Sequence, residues 1–416
     1  MMKTANPDSL LVKITLLVTS TLTVMSGATI APSLPAMRAY FSGVENVEYW
    51  VKLVLTVPAL FIVIGAPISG LIVDRLGRKS LLVASTILYG FAGSSGFLLN
   101  SIGHILMGRA LLGLAVAGVM TSVTTLIADY YIGQARANFM GLQAAFMAFG
   151  GVLFLSSGGF LADLNWRLPF LIYLFAFIIL PFIVVLLYEP RRTNVGIGNV
   201  GIGTVQESDR FASDSVLRIN APAVPIKLLT LIYGVAVFMQ VIFYLIPVQL
   251  PFYLQNLTKA SATQSGLAIA FATLFSAFAS MLYGRIKARL HFVSILTLAF
   301  ALMGVGYSII GLGKSYEQVL IGLAVAGIGL GFLMPNLTVW LSAESPEALR
   351  GRLLGGLTTF FFLGQFLSPI VSQPVSQQVG LGTTYRLAGA LLLLLALIFL
   401  GMRRQITVFT ANPAQP

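Results

Sequence analysis

The chain has 416 residues, of which 57% are hydrophobic and only 9% charged, with a mean hydropathy of +0.92. A soluble domain carries about 25% charge, so this composition excludes an ordinary water-soluble protein and indicates an integral membrane protein. The net charge of +12 suits basic loops that fix orientation in a bilayer rather than a nucleic-acid surface, while the absence of cysteine and the two lone histidines leave no disulfide framework, metal cluster or cofactor site in view.

Apolar runs of about 20 residues predict helices, because barrel strands are short and alternating. In the first half they fall near 11–33, 50–72, 80–99, 104–128, 138–162 and 167–188. In the second half they fall near 226–253, 262–283, 292–312, 316–341, 352–378 and 383–402. The first run is long and leads straight into the next, so it is expected to remain as a span rather than be cleaved. The expected fold is therefore all-α, with twelve transmembrane helices in two six-helix bundles, 1–188 and 226–416. The polar, glycine-rich stretch 189–225 between them reads as a cytoplasmic linker. It contains Gly196-x-Gly198-x-x-Gly201, but no strand precedes this match and no βαβ unit fits around it, so a dinucleotide site is rejected.

With both termini cytoplasmic, most of the lysines and arginines collect on the inner loops, among them Arg75, Arg78, Lys79, Arg136, Arg285, Arg289, Arg350 and Arg352. Arg38, Lys52, Arg167, Lys259, Lys314 and Arg386 lie on or near the other side. That bias sets the orientation in a cell membrane, multi-pass, in contact with the lipid bilayer. The halves also repeat: Gly113, Arg136, Gly141 and Gly150 recur 214 residues later as Gly327, Arg350, Gly355 and Gly364.

Between the second and third runs the chain reads Gly70-Leu71-Ile72-Val73-Asp74-Arg75-Leu76-Gly77-Arg78-Lys79. Charges this dense beside a span need a partner. Asp74 sits at a helix C-terminus, where the dipole disfavours an anion; Arg78 lies four residues on, and Asp129 and Arg136 flank the next cytoplasmic loop. This stretch resembles the signature loop of major facilitator superfamily transporters, G-x-x-x-D-R-x-G-R-K, at every fixed position. The resemblance implies a charge network, built on Gly70, Asp74, Arg75, Gly77, Arg78, Lys79, Asp129 and Arg136, that latches the halves when the cytoplasmic side closes. The aspartate would then face the start of the eleventh helix near Gly351 to Leu354. In the matching loop of the second half, Gly284-Arg285-Ile286-Lys287-Ala288-Arg289, the acid is absent, with Gly284 near its place.

Arg109 lies inside the fourth run, and a charge there is a functional candidate by default. Arg109-Ala110-Leu111-Leu112-Gly113 resembles the family's R-x-x-x-G element, which implies proton coupling or a counter-charge for substrate. An arginine that holds a backbone carbonyl is the alternative. In the fifth run Gly150, Gly158 and Gly159 permit close helix packing and resemble the antiporter element G-x-x-x-G-P-x-x-G-G, with Phe154-Leu155 in place of its Gly-Pro. No Asp or Glu stands in mid-span, so a coupling proton would have to use Asp74, Asp129, Asp163 or the substrate itself; the alternative is that there is no proton coupling. By depth, the candidates for a substrate cavity are Gln143, Gln240, Tyr244, Asn336 and Gln365, each of which could equally join helices. Pro247, Pro251, Pro335 and Pro369 are candidate hinges.

The resemblance implies a secondary transporter, not an enzyme, that works as a single chain by alternating access. The leading expectation is proton-coupled efflux of small amphipathic organic compounds. The alternatives are transport of an organic anion against Arg109, and a non-transporting membrane sensor.

Overall fold

The computed structural model describes residues 8–190 and 224–410, and side chains throughout except Ala348 and 403–410. The described residues form twelve helices long and apolar enough to cross a membrane. They are α1 (Leu10–Tyr40), α2 (Val47–Leu76), α3 (Arg78–Phe97), α4 (Ile102–Tyr130), α5 (Gly133–Leu164) and α6 (Leu168–Leu186). The second half supplies α7 (Ile226–Thr258), α8 (Ala262–Lys287), α9 (Phe292–Leu312), α10 (Tyr316–Glu344), α11 (Leu349–Val379) and α12 (Leu381–Met402). All twelve apolar runs are recovered. Most helices outrun them, because polar ends such as Asp74-Arg75 continue the helix past the apolar window. The Asn-Val-Gly-Ile-Gly repeat and the Gly196 to Gly201 stretch lie outside the described residues.

Successive helices alternate in direction. The loops after α2, α4, α8 and α10 therefore fall on one face, here called the basic face, and those after α1, α3, α5, α7 and α9 on the far face. Two helices break midway. The first stretch of α1 stops at Ala28 and restarts through a 3₁₀ turn at Ala31–Ser33, where Pro32 withholds an N–H. In α7 the break is at Tyr244, just before Pro247. Helices α10 and α11 run on through Pro335 and Pro369.

The 214-residue repeat holds in three dimensions. A Cβ on Gly113 would meet the Pro58 carbonyl oxygen and stand 2.7 Å from Phe61 Cβ; on Gly327 it would meet the Ala272 carbonyl oxygen and stand 3.3 Å from Phe275 Cβ. Pro58, Phe61 and Gly113 thus map onto Ala272, Phe275 and Gly327 at one offset. So do Gly108 against the Ala92 carbonyl and Gly322 against the Gly306 carbonyl. The pair Gly65·Ala117 maps onto Ala279·Gly331, with the glycine moved to the other helix.

Candidate functional site

The halves meet along the far-face parts of α2, α5, α7, α8 and α11. Of the residues Val51–Ala59 on α2, all but Val57 are buried, whereas most residues from Ile64 to Leu76 are not. Residues Leu245–Leu254 of α7 are buried without exception, as expected of a helix apolar on all sides. At the basic face there is open space: among the described residues, and apart from each glycine's own helix, nothing lies within 4 Å of where a Cβ would stand on Gly70, Gly141, Gly284, Gly351 or Gly355.

The roof of this opening is the α1 break. A Cβ on Gly27 would stand 3.0 Å from Tyr244 Oη and 3.8 Å from Gln365 Nε2, so both residues converge on it from the second half. Beneath, Gln143 Nε2 donates to Ser20 Oγ at 2.9 Å across α5 and α1. These two border a cavity of about 190 Å³ together with Thr23, Met120, Met140 and Met147. Its lining is uncharged, mixing hydroxyls and an amide with thioethers that adapt to irregular shapes. The remaining amides sit elsewhere. Asn336 is fully buried and donates to the Phe292 carbonyl at 3.0 Å, joining α10 to α9. Gln240 is buried against Gly364.

Arg109 is 1% exposed and points into the first six helices. Its Nε donates to the Val54 carbonyl at 3.0 Å and its Nη2 to the Ser26 carbonyl at 2.7 Å. Both acceptors lack a helix partner. Pro58, four residues after Val54, has no N–H, and Ser26 is among the last four carbonyls before the α1 break. The guanidinium also lies 5.1 Å from the centre of the Tyr173 ring. Gly113, one turn on, presses α4 onto α2 at Pro58 itself. The R-x-x-x-G spacing thus serves one kink: the arginine binds the carbonyl that the proline releases, and the glycine makes room for the approach.

At the basic face, Gly77 adopts φ +95° at the α2–α3 turn, and a Cβ there would strike the Glu189 carboxylate. Glu189 accepts from Arg78 N at 2.7 Å and Lys79 N at 2.8 Å, capping the free N–H groups of α3. Arg78 Nε pairs with Asp129 at 3.0 Å. Arg136 donates to the Tyr131 carbonyl at 2.9 Å and to the Ala128 carbonyl. Burial pushes the Tyr131 hydroxyl up to about 12, aided by the nearby Asp8 and Tyr188, so it stays neutral. The bonds described here all join residues before position 190. Asp74 and Arg75 are exposed in the last turn of α2. The offset of 214 sets Gly284 opposite Gly70 and Ala288 opposite Asp74, so the missing acid of the second copy is Ala288 rather than Gly284.

The far face holds what sequence reasoning missed. Lys52 is 2% exposed. Its Nζ donates to Gln249 Oε1 of α7 at 2.7 Å and to Gln373 Oε1 of α11, and it lies 4.7 Å from the Phe252 ring centre. Gln373 Nε2 donates to Glu48 at 3.0 Å, and Glu48 pairs with Arg38 at 2.8 Å. The sequence carried two signals: a lysine beginning the apolar run of α2, and a glutamine enclosed by Pro247 and Pro251. On the opposite side Asp163, at the end of α5, accepts from Ala262 N at 2.7 Å and Thr263 N at 3.0 Å, capping α8. Above the cavity, Gly158 of α5 lies against the Thr29 carbonyl of α1 and Gly150 against Thr21, while Gly159 packs on Gly266 of α8. Among the described residues no group of His, Cys, Asp and Glu could hold a metal ion.

The family model of the Major Facilitator Superfamily matches residues 16–258 and 231–414. The chain belongs to the Major Facilitator Superfamily. It is thus a membrane transporter, and its twelve helices are those of that superfamily's permeases. Among curated relatives, the Quinolone resistance protein NorA of Staphylococcus aureus is 25% identical over 354 residues, covering 82% of this chain and 84% of that one. Among solved superfamily structures, a bacterial homolog of the human lysosomal transporter Spinster has a TM-score of 0.73 at 17% identity, covering 97% of this chain and 98% of that chain. A D-xylose-proton symporter has a TM-score of 0.73 at 16% identity, covering 94% and 96%.

Proposed function

We propose that the protein exports small amphipathic organic compounds, including quinolones, by alternating access, with proton entry as the driving flux. The observation that supports this is the uncharged, thioether-rich cavity at Ser20 and Gln143, lined by the basic-face halves of α1, α4 and α5. Such a lining gains from burying apolar surface and offers few fixed polar demands, which suits varied ligands. The likeness to NorA supports the same reading. The basic face is cytoplasmic in this reading, by the bias of lysine and arginine, and the membrane is the cell membrane. Residues 1–188 and 226–416 rock against each other as single-chain units around the cavity, with 189–225 as their link. When the basic face closes, Asp74 and its loop engage the start of α11 and latch it. The coupling proton uses carboxylates near the faces, among them Asp74, Asp129 and Asp163. The hold of Arg109 on two carbonyls favours a structural role over that of counter-charge for an organic anion.

The test is quinolone movement in inside-out vesicles carrying the full chain. Accumulation that a protonophore abolishes is expected, with Asp74→Asn inserting normally but losing most of the flux. Gradient-independent passage of an organic anion, with no quinolone movement, would overturn the reading.

A further inference from the structure

The two seams that close the far face occupy matching places in the repeat. At the offset of 214, Lys52 of α2 corresponds to Gly266 of α8, and Gly159 of α5 corresponds to Gln373 of α11. The pair Lys52·Gln373 is thus the counterpart of the pair Gly266·Gly159. One site of the repeat carries an ammonium held by amides; its twin carries two glycines.

The glycine seam is backbone on backbone. A Cβ on Gly266 would stand 2.7 Å from the Leu155 carbonyl oxygen and 3.0 Å from Gly159 Cα. No side chain there could swing aside to release the helices. Asp163 ties the seam at its outer end through two N–H groups of α8, which parting would leave without that acceptor. Toward the cavity the contact continues to Gly151, whose Cβ would stand 3.7 Å from Thr273 Cγ2.

The lysine seam is held by the ends of flexible side chains. Lys52 reaches Gln373 on one helix and Gln249 on another, and Gln249 Nε2 in turn donates to Ser372 at 3.1 Å. The charged groups facing this cluster are Glu48 and Arg38. Closing the seam strips water from an ammonium, and opening returns it. Removing one member of such a cluster leaves the others buried and unsatisfied, a cost that opening to water relieves. Loss of one amide partner shifts the balance toward opening.

We propose that the far face opens at the α2–α11 seam with Lys52 as its bolt, while the α5–α8 seam stays in contact as the pivot. The inference rests on the alternating-access reading above. Opening of a seam is measured without substrate, so a failure to find quinolone export and a failure of this proposal are distinguishable.

The chain has no cysteine, so introduced pairs label uniquely. One spin-label pair, Trp50→Cys with Gln378→Cys, spans the lysine seam. The other, Leu164→Cys with Leu267→Cys, spans the glycine seam; all four positions are exposed. Distance distributions are measured on the full chain in lipid nanodiscs, without and with Lys52→Met. The expected result is a second, longer population for Trp50–Gln378 and an unchanged single population for Leu164–Leu267. Gln373→Leu, which spares the lysine, should widen the same pair, and Lys52→Arg, which keeps a cationic donor, should not. Equal widening of both seams, or no widening in the Lys52→Met and Gln373→Leu proteins, would overturn the proposal.

Discussion

The two halves meet the same problem at the α1 and α7 breaks and solve it with different chemistry. In the first half, a break in α1 and Pro58 in α2 free the carbonyls of Ser26 and Val54, and one buried arginine binds both. In the second half, hydroxyls do this work. Tyr307 donates to the Ile242 carbonyl at 2.7 Å, Tyr385 to the Leu245 carbonyl at 2.9 Å and Ser368 to the Val241 carbonyl at 2.8 Å. Position 323, the counterpart of Arg109, is a fully buried leucine, and position 272, the counterpart of Pro58, is alanine. Without the proline there is no released carbonyl on α8, so no cation is needed. A charge in mid-membrane costs about 2.5–3.5 kcal/mol on insertion scales. Two buried carbonyls left unpaired cost about 1–3 kcal/mol each. The arginine is therefore stable where two such carbonyls converge and would be a burden where none do.

That contrast can be broken most severely at Arg109 itself. Arg109→Leu should lower stability by about 3 kcal/mol, from the two carbonyls it strands, measured as a fall in the denaturation midpoint in detergent. Adding Pro58→Ala restores the N–H that Val54 needs and copies the arrangement of the second half. The double variant should regain about half of the loss, leaving Ser26 unpaired. Simple additivity of the two substitutions would show that the arginine does not answer the proline. A middle-sized effect belongs to the glycines. Gly113→Ala and Gly327→Ala both drive a methyl into a carbonyl oxygen of the facing helix. Each should cost about 1–3 kcal/mol by overpacking, and a large difference between them would mean that the repeat is not matched at this depth. The smallest effect is expected for an exchange. Gly65→Ala with Ala117→Gly moves the glycine to the helix that bears it in the Ala279·Gly331 pair. The double variant should unfold within about 0.5 kcal/mol of the parent, and Gly65→Ala alone below it.

Much of the architecture was legible because its signals are one-dimensional. Twelve apolar runs are twelve spans whatever their rotation, and the Gly70 to Lys79 loop carries its pattern in consecutive residues. The partners of Arg109 were harder to read, since an all-apolar helix gives no periodicity to fix which way a side chain points. One clue was nevertheless present: a proline inside a span always releases the carbonyl four residues earlier, and Pro58 names Val54. Lys52 was counted as an outer charge near a span end, and its burial emerges only when α7 and α11 close over it. Glu189 was assigned to the linker by its polarity, yet it closes the turn at Gly77. Of the cavity candidates, Gln143 borders the opening and Tyr244 and Gln365 meet at its roof, while Asn336 joins two helices, a distinction set by helix rotation alone.

The sulfur atoms around Gln143 carry a chemical liability of their own. Met120, Met140 and Met147 line the same cavity, and an oxidant that enters it would reach their thioethers. Sulfoxidation makes each group polar and chiral, reversible only through dedicated reductases. The helices would stand unchanged, yet the chamber would turn from oily to wet, so the redox history of the cell would be written into which compounds the protein accepts.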